Sequence, residues 1–404
     1  MNTRTLIIYD DGRGRFGPAT DLRAVFQLRT GALQTKDRIE GALDGPAGGL
    51  WVPKRLIGVV REACPGIDVN PSASGSGTCL LVNGRWAGLR FTDQVKALKT
   101  DQALVQSDGQ TVAVLLDERD ADGFIKNKFN SLPDHVTTIR LRERALLNRP
   151  WHVLDELPDN LLADLDAHTA PLLIADRHPQ VTVFGAHPVK VSQSARLMPT
   201  VVIDAEQGPV VIEPDAVINP FVVIQGPCYI GRGTTLMPHA CVGSNSVVGP
   251  NCKVGGEVST SILHGYCNKS HAGYLGDSLV GKWVNLGAGT TTSNLKNTYG
   301  QVRVQLDEQS TAEDTGRIFL GAIIGDHVRA AISTRLPTGA VIHTGCMLAN
   351  DGWAPKLAEP FGFYAGSGRQ PYDIDKLILT IEAAMVRRGE KLTDAGRELI
   401  RSIA

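Results

Sequence analysis

The sequence predicts three successive parts: an α/β domain over residues 1–200, a parallel β-helix over 201–352, and an extended segment with helices over 353–404. Three observations predict this order. In the first part, short apolar runs alternate with helix-like stretches. In the second part, apolar residues recur every six positions. In the third part, apolar residues recur at the spacing of a helix. With 404 residues the chain is too long for one ordinary core, so two to three domains are expected.

The first part shows no six-residue period. Leu6–Tyr9, Thr78–Val82 and Thr111–Leu116 are apolar runs of strand length, whereas residues 54–62 and 156–168 have the composition of helices. This mixture predicts an α/β domain.

The second part repeats every six residues. The repeat places these aliphatic residues in register: Ile212, Ile218, Ile224, Ile230, Leu236, Val242, Val248 and Val254. A small or β-branched residue follows each of them four positions later, from Ala216 to Val258. A helix needs a period of 3.6 and a single strand a period of 2, so neither explains the pattern. Short parallel strands joined by tight turns do explain it, because each aliphatic residue then points into a coil and stacks on its equivalents.

The six-residue register is interrupted twice. It returns at Val280 and Leu286, and it returns again over Ile318, Ile324, Ala330, Leu336, Ile342 and Leu348. Both shifts are two residues more than a multiple of six, which predicts irregular excursions near 256–274 and 292–317. Loops that interrupt a regular coil are the expected places for function.

The third part changes character again. Pro355, Pro360 and Pro371 predict an extended segment. Apolar residues from Ile374 to Met385 then recur at helical spacing after Asp373, a plausible cap, and a second short helix is expected from Lys391 onward. We expect these helices to pack over the open end of the coil or on a neighbouring subunit.

Charge and cysteine content narrow the class of protein. The 41 basic and 42 acidic residues nearly cancel, which argues against nucleic acid as a partner. The seven cysteines are odd in number and form no Cys-x-x-Cys pair, so reduced thiols in a cytoplasmic protein are expected. The apolar stretch at the N-terminus is too short for a signal peptide, and no segment is long enough to span a membrane.

The densest polar constellation covers residues 269–295. It contains His271, Tyr274, Asn285 and Asn294. The run Gly287-Ala288-Gly289-Thr290 lies between the two asparagines. Histidine can act as a general base near neutral pH, and a glycine-rich turn can present backbone N–H groups to an oxyanion. The plainer interpretation is that His271 is a loop histidine and that the glycines merely turn the coil.

These residues resemble a known family. His-x-x-Tyr-Leu-Gly-Asp, then Asn-x-Gly-Ala-Gly-Thr, then Asn is similar to the acetyltransferase half of the bifunctional N-acetylglucosamine-1-phosphate uridyltransferase/glucosamine-1-phosphate acetyltransferases, over roughly residues 200–350. The resemblance implies a left-handed β-helix, a homotrimer with the active site between subunits, and acetyl-CoA as co-substrate. It also implies the roles of base for His271, of sugar-phosphate contacts for Tyr274 and Asn285, and of the acetyl-CoA groove for Gly287, Ala288 and Gly289.

The chain departs from the family after Asn294. The family continues with a tyrosine and a lysine soon after, whereas this chain has Leu295 and then Lys296. We keep Asn294 and Lys296 as candidate substrate contacts, and we expect a diverged branch with its own sugar.

A second candidate site follows the first predicted strand. Gly12, Arg13, Gly14 and Arg15 form a loop in which small residues let backbone N–H groups approach a phosphate and arginines can fork onto its oxygens. A solvated surface turn is the alternative. The loop resembles the Gly-x-Gly-Thr-Arg loop of the family's nucleotidyltransferase half, which implies nucleotide binding by these four residues and Arg23.

Magnesium is implied if that half is active. The metal site is unknown from the sequence, and Asp10, Asp11, Asn83 and Asp117 are candidates of low specificity.

The function with most support is N-acetylation of a hexosamine phosphate, such as glucosamine 1-phosphate, in the biosynthesis of a nucleotide sugar for the cell envelope. It is coupled, if the first domain is active, to nucleotidyl transfer from an NTP to the sugar 1-phosphate. One alternative is a nucleotidyltransferase whose β-helix only assembles or regulates it. Another is a non-catalytic protein that binds nucleotide sugars.

Overall fold

The computed structural model describes residues 4–73, 77–88, 90–168, 172–173, 180–350, 352–366 and 368–404. The first domain is built on a seven-stranded sheet in the order β3-β2-β1-β4-β6-β5-β7. Its strands are β1 (Arg4–Tyr9), β2 (Gly49–Trp51), β3 (Asp68–Val69), β4 (Thr78–Asn83), β5 (Gln102–Val105), β6 (Thr111–Asp117) and β7 (Thr137–Arg140). Its helices are α1 (Thr35–Ala42), α2 (Ile57–Ala63), α3 (Thr92–Lys96), α4 (Glu118–Lys126) and α5 (Trp151–Asp166). The predicted α/β domain is confirmed.

The central strand β1 explains why the apolar runs of this domain are continuous. It lies between β2 and β4 and pairs parallel with both, so neither of its edges is open. Leu6 and Ile8 pack into one core cluster, and Ile7 and Tyr9 pack into another on the opposite face. A strand buried on two faces needs apolar residues at every position rather than at alternate ones.

The predicted β-helix is confirmed, and its strands form three faces. The first face contains Leu172–Leu173, Val189–Ser192, Val210–Ile212, Cys228–Ile230, Ser246–Val248, Ile262–Gly265, Leu279–Lys282, Ala322–Ile324, Ala340–Ile342 and Leu357–Ala358. The second contains Arg196–Leu197, Val217–Ile218, Thr235–Leu236, Lys253–Val254, Asn268–Lys269, Asn285–Leu286, Arg329–Ala330, Met347–Leu348, Gly362–Ala365 and Gly368–Pro371. The third contains Thr182–Phe184, Val202–Asp204, Val223–Gln225, Cys241–Val242, Glu257–Ser259 and Tyr274–Gly276. A further parallel pair joins Thr291–Thr292 to Arg335–Leu336. Coil strands thus precede residue 201 and continue beyond residue 352.

The three faces differ in what covers them. Most outward side chains of the first face are buried, and Val211, Val247 and Val341 lie in one cluster with Trp151 and Leu154 of α5. The outward side chains of the third face are exposed or half-buried instead, as at Glu257. The coil therefore packs its first face on the α/β domain and presents its third face outward.

The prediction of a first excursion, near 256–274, is wrong. Parallel pairing continues through this segment, because Val254 lies beside Lys269, and Val258 lies beside Leu275. Shortened turns, rather than an inserted loop, account for the shift in register. The period was obscured because Lys269, a charged residue, occupies an inward position.

The second predicted excursion is confirmed, with a correction. The chain leaves the coil after Thr292 and returns at Ala322, and in between Arg303–Val304 pairs with Glu313–Asp314 as an antiparallel hairpin. Ile318 lies in this excursion and is 47% exposed, so it is not an inward coil residue. The inward register resumes at Ile324, which pairs with Val280.

The C-terminal helices are α6 (Ile374–Val386) and α7 (Asp394–Ser402). Asp373 caps α6 as predicted, accepting hydrogen bonds from the N–H groups of Asp375 and Lys376. The helices do not pack over the end of the coil. They lie against its flank, where Arg388 donates to the Asn251 carbonyl, and α7 packs on α2 of the first domain. Among the described residues, no helix is both long and apolar enough to cross a membrane.

Candidate functional site

His271 lies on the turn that leads from the second face to the third. Its side chain is exposed, and no hydrogen bond to its imidazole is formed within the described residues. The turn itself is held from inside the coil. The ammonium of Lys269 donates to the carbonyls of Gly255 at 2.7 Å, His271 at 3.2 Å and Gly273 at 2.7 Å. A fixed backbone thus carries an imidazole that is open to solvent.

A hydrogen-bonded cluster follows on the third face. The Tyr274 hydroxyl lies 3.1 Å from the Ser259 hydroxyl and accepts from the Asn294 amide at 3.0 Å. The same amide donates to Asp277 at 2.7 Å. Arg317, from the excursion, lies 3.6 Å from the other oxygen of that carboxylate. The structure therefore brings the predicted residues Tyr274 and Asn294 together.

Burial changes the pKa values of the acidic groups in this cluster. It raises the pKa of the Tyr274 phenol and also that of the Asp277 carboxyl, and for Asp277 the Asn294 hydrogen bond and the Arg317 charge act in the opposite direction. A neutral phenol can donate its proton in a hydrogen bond to an oxygen of a bound ligand.

The predicted glycine turn lies directly beside the His271 turn. Gly289 donates its N–H to the Ala272 carbonyl at 3.0 Å, and Gly287 donates to the Ala330 carbonyl at the same distance. The carbonyl of Ala288 accepts from Ser333. Because these two glycine N–H groups already bond to the coil, they are not available to an oxyanion. The turn instead joins the coil backbone next to His271 through these hydrogen bonds.

Asn285 does not join Tyr274. It lies on the second face, where its side-chain oxygen accepts from the Asn268 amide at 2.7 Å. Both residues line a cleft between the coil and α6. Lys296 is also separate, since it lies in the excursion and donates to the Gln301 carbonyl. The predicted site thus divides into a His271–Tyr274–Asn294 part, the Asn285 cleft and Lys296.

The N-terminal loop satisfies its own backbone. Gly12 donates to the Asp10 carboxylate at 2.9 Å and Arg13 donates to the Asp11 carboxylate at 3.0 Å. Gly12 and Gly14 have φ values of +67° and +81°, which glycine tolerates best. Two acidic side chains therefore occupy the N–H groups that a phosphate would need.

The arginines of this loop bind protein groups. Arg15 forms ion pairs with Asp307 and Glu313 of the excursion, both at 2.9 Å. Arg13 donates to the Asn130 side chain. Arg23 forms a buried ion pair with Asp326 of the coil. Two of the predicted nucleotide ligands, Arg15 and Arg23, thus join the first domain to the β-helix.

Arg85 was not predicted and occupies the centre of this region. Its fully buried guanidinium donates to Asp11 at 2.6 Å and to Gln110 at 2.5 Å, while the Asn83 amide also donates to Asp11 at 3.0 Å. A cation therefore neutralises the carboxylate that a metal ion would require. No feature of the Asn83-Gly-Arg85 sequence signals this contact.

The candidate magnesium ligands do not fit a metal ion. Asp10 accepts from Gly12 and Val25, Asp11 is paired with Arg85, and Asp117 caps α4 through Asp120. Within the described residues, the one group with ligand spacing is Asp101, Asp120 and His135, at the surface and away from the loop. No step through Mg²⁺ is derived for this domain.

Comparison with known proteins matches both halves of the chain. Residues 6–171 match the sequence model described as sugar nucleotidyl transferase, and residues 209–244 match the bacterial transferase hexapeptide (six repeats). The chain thus joins a domain similar to sugar nucleotidyl transferases to a coil with hexapeptide repeats similar to those of bacterial transferases. The predicted resemblance to the bifunctional nucleotidyltransferase/acetyltransferases is thereby confirmed.

The relatives of similar sequence include proteins that are named as bifunctional. A bifunctional sugar-1-phosphate nucleotidylyltransferase/acetyltransferase of Sulfurisphaera tokodaii is 34% identical over 34% of this chain and 34% of its own length. The bifunctional protein GlmU of Anaplasma marginale (strain Florida) is 34% identical over 59% of this chain and 50% of its own. The chain thus spans between a third and a half of the length of these relatives. A hexapeptide transferase family protein of Anaplasma phagocytophilum aligns in structure over 55% of this chain and 97% of its own, at 13% identity and a TM-score of 0.26.

Proposed function

We propose that the protein transfers the acetyl group of acetyl-CoA to the amine of a hexosamine phosphate, with His271 as the general base. The observation that carries this proposal is the exposed imidazole of His271, which lies on a fixed turn beside both the Tyr274–Asn294 cluster and the glycine turn. The similarity to a relative named as a nucleotidylyltransferase/acetyltransferase supports the same chemistry.

The reaction requires one proton transfer at the attacking nitrogen. The amine attacks the thioester carbonyl, a C–N bond forms, the C–S bond breaks, and CoA leaves as a thiolate. His271 takes the proton that the nitrogen must lose. Tyr274 and Asn294 orient the sugar through their polar groups, which turns part of the binding energy into positioning.

We propose further that the active unit is a cytoplasmic homotrimer. The third face and the His271 turn face outward in one chain, so that a neighbouring coil packed there would enclose the imidazole. Closed cyclic symmetry is the usual way to bury such a surface. Sedimentation should give a stable trimer at micromolar concentration, and a stable monomer would argue against an active site between subunits.

The test is release of the CoA thiol from acetyl-CoA in the presence of glucosamine 1-phosphate. His271→Ala should lower kcat by a factor on the order of 100 or more, the usual contribution of a general base. His239→Ala is the matched control, because His239 is an exposed histidine on the equivalent turn two rungs earlier in the coil, between Thr235–Leu236 and Cys241–Val242. The control should retain wild-type activity. Equal activity in wild type and His271→Ala contradicts the proposal.

A second function is favoured by the match of residues 6–171 to sugar nucleotidyl transferases. In this candidate the first domain joins an NTP to a sugar 1-phosphate and releases pyrophosphate. The bonding of Asp11 to Arg85 requires the loop to rearrange before a nucleotide can bind there. Pyrophosphate release that is unchanged in His271→Ala would support this activity as separate from acetyl transfer, and absence of release with UTP, CTP, ATP, GTP and dTTP would contradict it.

A further inference from the structure

A cleft lies between the second face of the coil and the end of helix α6. Its volume is about 250 Å³. Lys253, Asn268, Asn285 and Arg329 line it from the coil, and Arg387 and Arg388 line it from the segment that follows α6. We call it the tail cleft, since it exists only because the C-terminal helices fold against the flank of the coil.

The charge of the tail cleft is strongly one-sided. Four of its lining residues are cationic, and among the described residues none of the lining side chains is a carboxylate. Elsewhere in this protein arginines are commonly paired, as Arg15, Arg23 and Arg38 are. Four like charges around one small space repel one another, and a bound anion removes that repulsion.

The cations of the tail cleft have unused donors. Lys253 and Arg387 form no ion pair within the described part of the chain. Arg329 donates through one terminal nitrogen to the Thr380 carbonyl at 3.3 Å, whereas its buried Nε has no hydrogen-bond partner. The charges of Lys253 and Arg387 are therefore available to an anion that enters the cleft.

The remaining walls suit a phosphorylated molecule rather than a bare ion. The Asn268 amide donates to Asn285 on the floor of the cleft. Trp283 stacks on Tyr266 with ring centroids 4.2 Å apart, forming an aromatic side wall. A guanidinium presents a planar fork that matches phosphate oxygens, and an aromatic face accepts the apolar side of a sugar or a base.

We propose that the tail cleft binds the phosphoryl group of a phosphate monoester or diphosphate. The proposal stands on the cleft itself and does not depend on acetyl transfer. The cleft also lies close to the candidate base, because Asn268 precedes His271 by only three residues and their Cα atoms are therefore at most roughly 10 Å apart. CoA and glucosamine 1-phosphate both carry phosphoryl groups, so either substrate can supply the ligand.

The test measures binding and not turnover. Isothermal titration of the full chain with pyrophosphate, CoA and glucosamine 1-phosphate gives the affinities at low salt. The double variant Lys253→Gln/Arg387→Gln removes two exposed cations that form no ion pair within the described residues. We expect it to weaken pyrophosphate binding at least tenfold. Lys376→Gln is the matched control, since Lys376 is an exposed cation of α6 outside the cleft, and it should change the affinity less than twofold.

The two substrates distinguish the source of the phosphoryl group. Loss of affinity for CoA alone supports the cleft as part of the donor site, and loss of affinity for glucosamine 1-phosphate alone supports it as part of the acceptor site. The proposal is overturned if wild type binds none of the three ligands at millimolar concentration. It is overturned equally if the double variant binds all three as tightly as wild type does.

Discussion

Lys269 shows how one residue can hold a candidate active site without touching a substrate. Its side chain takes an inward position of the coil, between apolar neighbours, and is only 3% exposed. Its three carbonyl contacts fix the turn that carries His271. The sequence did not reveal this role, because a lysine at an apolar position looks like a break in the repeat.

Burial lowers the pKa of Lys269 from its usual 10.5 to about 8, because the charged ammonium loses hydration, although the charge of Glu257 acts in the opposite direction. The unfolded chain therefore binds this proton more tightly than the folded chain does. Between about pH 8 and 10.5 the free energy of unfolding should rise with pH, and below pH 8 the full penalty of charging the buried amine remains.

Lys269→Met isolates this contribution, since methionine is unbranched and does not titrate. The difference in free energy of unfolding between wild type and variant should move in favour of wild type by up to about 3 kcal/mol as pH rises from 8 to 10.5. Urea unfolding at several pH values measures it. A difference that stays constant over this range would show that folding does not lower the pKa of the Lys269 amine.

The Lys269→Met variant should also lower acetyl transfer through misplacement of His271, with kcat more affected than KM.

At the scale of the element, the coil was predictable where its repeat is pure. Ile212 to Val254 occupy inward positions because each aliphatic residue stacks on its equivalent one turn away. The prediction failed where local features disguise the period. Lys269 hid one inward position, and Ile318 fell on the six-residue register by coincidence while lying exposed in the excursion.

Two isoleucines test the distinction between inward and outward positions. Ile230 is fully buried in the coil, whereas Ile332 is 74% exposed on a turn of the same coil. Ile230→Ala should lower the free energy of unfolding by about 2–5 kcal/mol, because it removes buried methyl groups and leaves a cavity. Ile332→Ala should change it by less than about 0.5 kcal/mol. Equal effects in urea unfolding would contradict the assignment of the inward register.

Part of the candidate site could be predicted from the sequence, because the length of a coil turn determines which residues lie close together. Tyr274 and Asn294 are 20 residues apart in sequence, close to the length of one coil turn, so the period itself predicts that they lie close together. Asn285 shares the motif but sits on another face, and a motif does not tell which face each residue takes. The contacts of Arg85 with Asp11 and of Arg317 with Asp277 cross between distant segments, which no local pattern records.

At the scale of the whole molecule, the first domain, the coil and the tail meet around one cavity of about 760 Å³. Arg23 and Asp326 line it and form the buried ion pair that joins the first domain to the coil. Asp326 also accepts from the Lys282 backbone at 2.6 Å. The nearby Lys282 amine has its pKa lowered to about 8 by burial and by the charge of Arg23, while Asp326 acts in the opposite sense. Asp326 is therefore the carboxylate that balances the cations at this junction.

Breaking this pair should destabilise the whole molecule rather than one surface. Arg23→Met leaves the Asp326 carboxylate buried without its guanidinium partner, and the expected loss is about 3–5 kcal/mol in free energy of unfolding. Arg15→Met is the matched control, since Arg15 also joins the first domain to the β-helix part but is 42% exposed, and exposed pairs contribute up to about 1 kcal/mol each. Arg23→Met/Asp326→Asn removes the unpaired charge and should recover part of the loss. Thermal unfolding followed by circular dichroism measures all three variants. If Arg23→Met and Arg15→Met cost the same, the junction is held by its apolar contacts, and the ion pair serves only to orient the domains.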